Sequence, residues 1–165
     1  MVSLAIAGYP YFELSRVDID REGPHYSVDM IRILRGKYNR SHNSRAGYLT
    51  VENTFFILGA DSLIDLPTWH KPNHLLELCQ LAVVNRTDYK PDLAQLTQIL
   101  PELPKKIHWV STPTLSISAT DLRKKLAVGA DVGDELTDSV KMYILEHGLY
   151  QKACSISYHP PGMFE

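Results

Sequence analysis

Phe55-Phe56-Ile57-Leu58-Gly59-Ala60-Asp61-Ser62-Leu63, with Pro67-Thr68-Trp69-His70 close behind, is the stretch that decides the fold. The four apolar residues at its start predict a strand covered on both faces, as in a parallel α/β sheet. The run stops at Gly59, where bare backbone can approach a ligand. Asp61 then stands at the carboxyl end of the strand, the end at which open α/β sheets bind their ligands, and a carboxylate there can accept hydrogen bonds from ribose hydroxyls. Taken alone, a G-x-D turn is an ordinary helix-capping aspartate. Its neighbours in this chain favour the nucleotide reading.

A second motif is Ile117-Ser118-Ala119-Thr120-Asp121-Leu122-Arg123, which follows another short strand candidate, Ile107-His108-Trp109-Val110. Ser118 or Thr120 can cap a helix here, and Ser118 with Asp121 has the spacing of a capping box. Leu122 and Leu126 share one helical face, while Arg123 falls on another near the open amino terminus. Free N–H groups, two hydroxyls and a guanidinium together make a ready anion site. The segment by itself also fits a plain surface helix with a solvated Arg123-Lys124-Lys125 face.

Composition bounds the rest. A chain of 165 residues, 44% hydrophobic and 22% charged, can build one globular core. Its net charge of −2 argues against a surface that tracks polyanions, so no nucleic-acid partner is expected. Cys79 and Cys154 give no disulfide framework, and a reduced, cytoplasmic setting is the expectation. No apolar run approaches membrane-spanning length, so no membrane partner is expected either. His70 and His74 are separated by Pro72, which disfavours a shared helical face, and with no third ligand no metal site is assigned.

Strand-like and helix-like pieces alternate along the chain, the pattern of a parallel sheet covered by helices. Leu14 to Ile19 alternates apolar and polar residues and reads as an outer strand. Ser27 can cap a helix through Tyr38 with Val28, Ile31 and Leu34 buried. Residues 39–54 are polar and read as a flexible surface insertion. Pro72 suits the first turn of a helix reaching Cys79, and Leu81 to Val84 forms the next strand, with a loop from Asn85 to Lys90. Asp92 to Leu100 is a helix closed by Pro101 and Pro104. Thr137 can cap a last helix carrying Val140, Tyr143, Ile144 and His147, with Gly148 just past its end. Residues 151–165 read as a tail.

Jointly and in order, these segments resemble bacterial nicotinate-nucleotide adenylyltransferases over residues 1–150, taken as one nucleotidyltransferase domain. The resemblance includes Ala5-Ile6-Ala7-Gly8-Tyr9-Pro10, Arg21-Glu22-Gly23-Pro24-His25-Tyr26-Ser27, the G-A-D-S-L and P-T-W-H elements, Ile117 to Arg123, and Val140-Lys141-Met142-Tyr143-Ile144 with His147-Gly148-Leu149-Tyr150. It implies a Rossmann-like nucleotidyltransferase fold. It also implies transfer of AMP from ATP to nicotinate mononucleotide, with Mg2+ accompanying ATP, to give deamido-NAD and pyrophosphate. Family members open with G-x-F-D-P-x-H-x-G-H, and the seven histidines here include no such run. The expectation is therefore a sheet lacking its amino-terminal strand, no residue assigned a catalytic role, and little or no transfer activity from this chain by itself. Self-association through uncovered apolar surface is expected too, which leaves a homo-oligomer open.

By the same resemblance, ATP is met by Gly59, Asp61, Ser118, Thr120 and Arg123. The nicotinate nucleotide is met by Ser27, Asp61, Trp69 and His70. Trp69 offers a face for stacking an electron-poor pyridine ring, and backbone N–H groups at Ser27 and His70 take its carboxylate. Ala119 stands where bacterial members often carry serine. A noncatalytic nucleotide- or partner-binding domain, or a related adenylyltransferase with another acceptor, are the rival readings. Trp69 and the Gly23 to Ser27 segment weigh against the other acceptor.

Overall fold

Residues 1–41, 47–85, 91–111 and 117–151 are described by the structure, a computed structural model of the chain. In chain order they form α1 (Val2–Ile6), α2 (Ser27–Arg40), β1 (Phe55–Gly59), α3 (Ala60–Asp65), α4 (Pro72–Leu78), β2 (Gln80–Val84), α5 (Leu93–Ile99), α6 (Leu103–Lys106), β3 (Ile107–Val110), α7 (Ala119–Ala127) and α8 (Asp138–Glu146). Single 3-10 turns lie at Leu66–Thr68 and Gly133–Glu135. The backbone gathers into two compact units, Ser15–Leu115 and a second made of Met1–Leu14 with Ser116–Glu165.

In the unit Ser15–Leu115 the three strands are parallel in the order β1-β2-β3, with Leu58 opposite Val83 and Val83 opposite Trp109. Parallel neighbours cannot be joined by a hairpin, so helices must carry the chain back between them. Those between β1 and β2 lend Leu63, Leu75 and Leu76 to the core; those between β2 and β3 lend Leu96 and Leu103. Val28 and Ile31 of α2 join the same cluster. The central strand β2, bonded on both edges, is buried from Gln80 to Val83. Local signals hold where the chemistry is strong. Asp92 Oδ1 accepts the Ala94 and Gln95 N–H groups at the start of α5, and Pro72 opens α4.

Arg35 ties this unit together from within α2. Its guanidinium donates to the Leu78 carbonyl at 2.8 Å and to the Leu49 carbonyl at 3.4 Å. The first of these is a last-turn carbonyl of α4, where a cation is favoured. Beneath it, Cys79 is fully buried, and its thiol donates to the Leu75 carbonyl. Burial pushes that thiol up to about 11, so it stays protonated and serves as a small apolar filler.

Four expectations need correction. β1 is covered on one face only: Leu58 is 6% exposed, whereas Phe55 and Ile57 on the other face are 46% and 72% exposed. Among the described residues β1 is an edge strand, and no layer covers that face. Leu14 to Ile19 forms no strand, because alternation needs a neighbouring strand to pair with. The Ile19 and Asp20 N–H groups bond back to the Arg16 carbonyl instead, and Arg16 grips Asp20 at 2.8 Å. Ser27 is the first residue of α2 rather than its cap; Tyr26 holds the cap position with no side-chain bond, and Leu34 is half-buried. Pro104, expected to help close α5, lies in the first turn of α6, where a missing N–H goes unnoticed.

Of residues 39–54, the first two extend α2, and 42–46 fall outside the described residues. Near Leu49 the chain is stitched rather than loose: Asn39 exchanges two hydrogen bonds with the Leu49 backbone, and Asn53 accepts the Thr50 N–H at 2.7 Å. The expected loop after Asn85 and the tail beyond Gln151 also lie outside the described residues.

The second unit is helical. Ser118 caps α7 by accepting the Asp121 N–H at 3.4 Å, while the Asp121 carboxylate turns to Lys124 at 3.3 Å. Of α8, Val140 and Ile144 are buried, and Gly148 beyond its end takes φ 58°. α1 packs on α8, with the Ser139 hydroxyl donating to the Leu4 carbonyl at 3.5 Å.

Adjacent residues of β1 should respond oppositely to substitution. Leu58→Ala is expected to destabilise the chain by about 2–5 kcal/mol in urea unfolding. Ile57→Lys should change stability by no more than about 0.5 kcal/mol and reduce concentration-dependent association in sedimentation, because a charge on an open strand edge blocks pairing. Comparable losses from both would place the Ile57 face in a buried layer.

Candidate nucleotide-binding site

At the carboxyl end of β1 the chain passes without a loop into α3, Gly59 holding the cap position. Asp61 lies in the first turn of that helix, exposed, and its carboxylate folds back over Gly59, so that a Cβ built at position 59 would run into Asp61 Oδ1. Among the described residues no cation or hydrogen-bond donor engages this carboxylate. It is a free acceptor at the sheet end where a parallel fold presents ligands.

Further along the same unit, aromatic rings bring two sequence motifs together. Tyr26 stacks on His70 with ring centroids 4.0 Å apart and planes 19° apart. Tyr26 and His70 are therefore neighbours although 44 positions separate them in sequence, and they bring the Tyr26-Ser27 and Trp69-His70 segments together. Trp69 sits half-buried against the core, its ring meeting Phe56 of β1 edge-on at 5.9 Å. Arg21 shapes the approach to α2: it binds Asp18 at 2.9 Å, the Pro24 carbonyl at 2.9 Å and the Tyr26 carbonyl at 3.4 Å. The N–H of Ser27 precedes the first intrahelical bond of α2, since the Asp29 and Met30 N–H groups are the first to reach the Tyr26 carbonyl.

In the other unit, Ser118, Thr120 and Arg123 occupy the first turns of α7. The Ser118 oxygen accepts a backbone N–H, which leaves its own O–H to donate. Thr120 and Arg123 are exposed, and among the described residues neither side chain has a partner. Arg123 stands beside a cavity of about 400 Å³ whose walls include Leu122, Leu126, Val140 and Ile144.

Comparison with known proteins adds the decisive observation. The cytidylyltransferase-like family matches residues 1–125. A probable nicotinate-nucleotide adenylyltransferase of Roseiflexus sp. (strain RS-1) is 37% identical over 151 residues, covering 92% of this chain and 70% of that protein. This chain belongs to the nicotinate-nucleotide adenylyltransferase family. The namesake from Thermomicrobium roseum is 36% identical over 92% of this chain and 65% of its own length, so the chain spans about two thirds of these relatives. Among solved structures, a Plasmodium falciparum nicotinic acid mononucleotide adenylyltransferase complexed with APC superposes with a TM-score of 0.58 at 21% identity, covering 88% of this chain and 70% of that one. The same enzyme complexed with NaAD gives 0.58, 88% and 69%. At that identity the likeness establishes the Rossmann-like nucleotidyltransferase fold.

Sequence reading named Gly59, Asp61, Ser27, Trp69 and His70 as site residues and gave no role to Tyr26, which stacks on His70, or to Arg21, which donates to the Tyr26 carbonyl. Both stand in the quoted Arg21 to Ser27 run, and an aromatic residue directly before the helix was the available signal. His74 turns to Glu77 at 2.8 Å, and among the described residues no group of three His, Cys, Asp or Glu could hold a metal ion. No helix of the described residues is long and apolar enough to cross a membrane.

Because Trp69 is half in the core, Trp69→Ala should lower stability, though by less than the about 3–5 kcal/mol of a fully buried tryptophan. Trp69→Phe should recover most of that loss. Urea unfolding of both variants measures it; an unchanged midpoint for Trp69→Ala would mean that the ring adds nothing to the core.

Proposed function

We propose that this chain is the nucleotide-holding part of an enzyme that transfers AMP from ATP to nicotinate mononucleotide. The observation that supports this reading best is the stacking of Tyr26 on His70, which brings the Tyr26-Ser27 and Trp69-His70 segments together. A pyridine ring stacks on Trp69, and its carboxylate takes the N–H groups of Ser27 and His70. Donors without an acceptor favour an acid over an amide, because the amide's own N–H groups find nothing to bond. Asp61 accepts ribose hydroxyls. Ser118, Thr120 and Arg123 bind phosphate oxygens, two through hydroxyls and one through a fixed cationic fork.

In the transfer itself, a phosphate oxygen of nicotinate mononucleotide attacks the α-phosphorus of ATP. A new P–O–P bond forms, the bond to the bridging oxygen breaks, and pyrophosphate leaves. No covalent help from protein is required, so positioning and charge neutralisation carry the rate. The described residues offer no all-protein cage for a divalent ion. Mg2+ fits as the companion of ATP, held mainly by phosphates and water. The P. falciparum enzyme, with complexes of APC and NaAD, is a solved example of this fold binding such ligands.

Turnover is measured as deamido-NAD and pyrophosphate formed from ATP, Mg2+ and nicotinate mononucleotide, using this chain joined to the unmatched part of the Roseiflexus relative. Nicotinamide mononucleotide should be a much poorer acceptor. Arg123→Ala should lower kcat/KM for ATP by about 10²–10³, the usual loss of one charge-directed contact to a reacting phosphate. Equal use of both acceptors would overturn the proposed carboxylate contacts, and unchanged ATP kinetics would remove Arg123 from the site.

A further inference from the structure

The geometry points to Gly59 as a positioning residue: its missing Cβ is the space that lets the Asp61 carboxylate lie folded back over the strand end, and this is why glycine stands there. Gly59 has φ −74° and ψ 157°, ordinary extended backbone open to any residue. It thus differs from Gly23, Gly47, Gly129, Gly133 and Gly148, all of which take positive φ. Backbone freedom does not explain it. The three atoms nearest to a Cβ built at position 59 all belong to the Asp61 side chain, the second being Cγ at 3.4 Å, and the nearest, Oδ1, would overlap it. No other described glycine has so close a neighbour at that place.

An added methyl group therefore acts on one target. Asp61 is exposed, so its carboxylate can swing away without disturbing the core, and the polypeptide should tolerate alanine at 59. What is lost is the direction in which the carboxylate points. The consequence for ligand binding rests on the proposed role of Asp61 as a ribose acceptor; the steric claim itself does not.

The test is a double-substitution cycle of Gly59→Ala, Asp61→Ala and the pair, read by Tm, by affinity for a non-hydrolysable ATP analogue, and by NMR three-bond couplings that report the Asp61 χ1 rotamer. Gly59→Ala is expected to leave Tm unchanged or slightly raised, since it removes freedom from the unfolded chain. It should change the Asp61 rotamer and weaken the analogue about as much as Asp61→Ala does, about 10- to 100-fold for a hydrogen bond to a charged group. In the Asp61→Ala background it should add nothing. A Tm loss from Gly59→Ala that Asp61→Ala rescues would also support the steric claim. An unchanged rotamer, an unrescued Tm loss, or a second full loss of affinity in the Asp61→Ala background would overturn it, the last by showing that the nucleotide needs bare backbone at 59. If the chain binds no analogue at all, the reading of function fails, and the rotamer still decides the role of Gly59.

Discussion

Pairing of β2 on both edges is the constraint on which the Ser15–Leu115 unit depends. A strand flanked by parallel neighbours on either side has its backbone groups bonded on both edges, and the helices packed on the sheet leave Leu81 and Val83 fully buried. Parallel pairing also forbids tight turns and forces helices between the strands. Leu63, Leu66, Leu75, Leu76, Leu100 and Leu103 lie along those crossings and close the core. All three carboxyl ends then open at one end of the sheet, and the Gly59-Asp61 corner opens there with them. The position of the candidate site is thus a consequence of strand direction, before any ligand is considered.

Much of this was legible in the chain itself, and the reasons are local. Short, mainly apolar runs marked the three strands, although β3 includes His108 and β2 begins one residue early at Gln80. Pro72, Asp92 and Ser118 marked helix starts because each acts through its own side chain or ring within one turn. The failures are equally physical. Leu14 to Ile19 alternates like a strand, yet alternation says only that a strand could form; pairing requires a neighbour, and the Arg16 to Asp20 contact closes a turn instead. The exposure of Ile57 could not be read from four apolar letters, since coverage belongs to the layers above and below and not to the strand.

At the site, the same division holds. Gly59 and Asp61 were visible as punctuation at a strand end. Trp69 was visible as an aromatic face, but its half-buried contact with Phe56 depends on how β1 and the turn before α4 pack. Tyr26 acquires its importance only when the fold brings it 4.0 Å from His70. In the Ser15–Leu115 unit, Asp61 is carried by the first turn of α3 and Ser27 by the start of α2. Such groups suit a reaction whose reagents carry their own nucleophile and leaving group, in which direction and charge are what the protein adds.

The central claim, that Ser27, Trp69 and His70 together receive a nicotinate mononucleotide, is tested most directly by titrating the 15N-labelled chain with that ligand and following amide and indole resonances. Saturable shifts at the Ser27 and His70 amides and at the Trp69 indole N–H, with nicotinamide mononucleotide giving far weaker ones, are the predicted result. Saturable shifts that leave all three residues unmoved would contradict it.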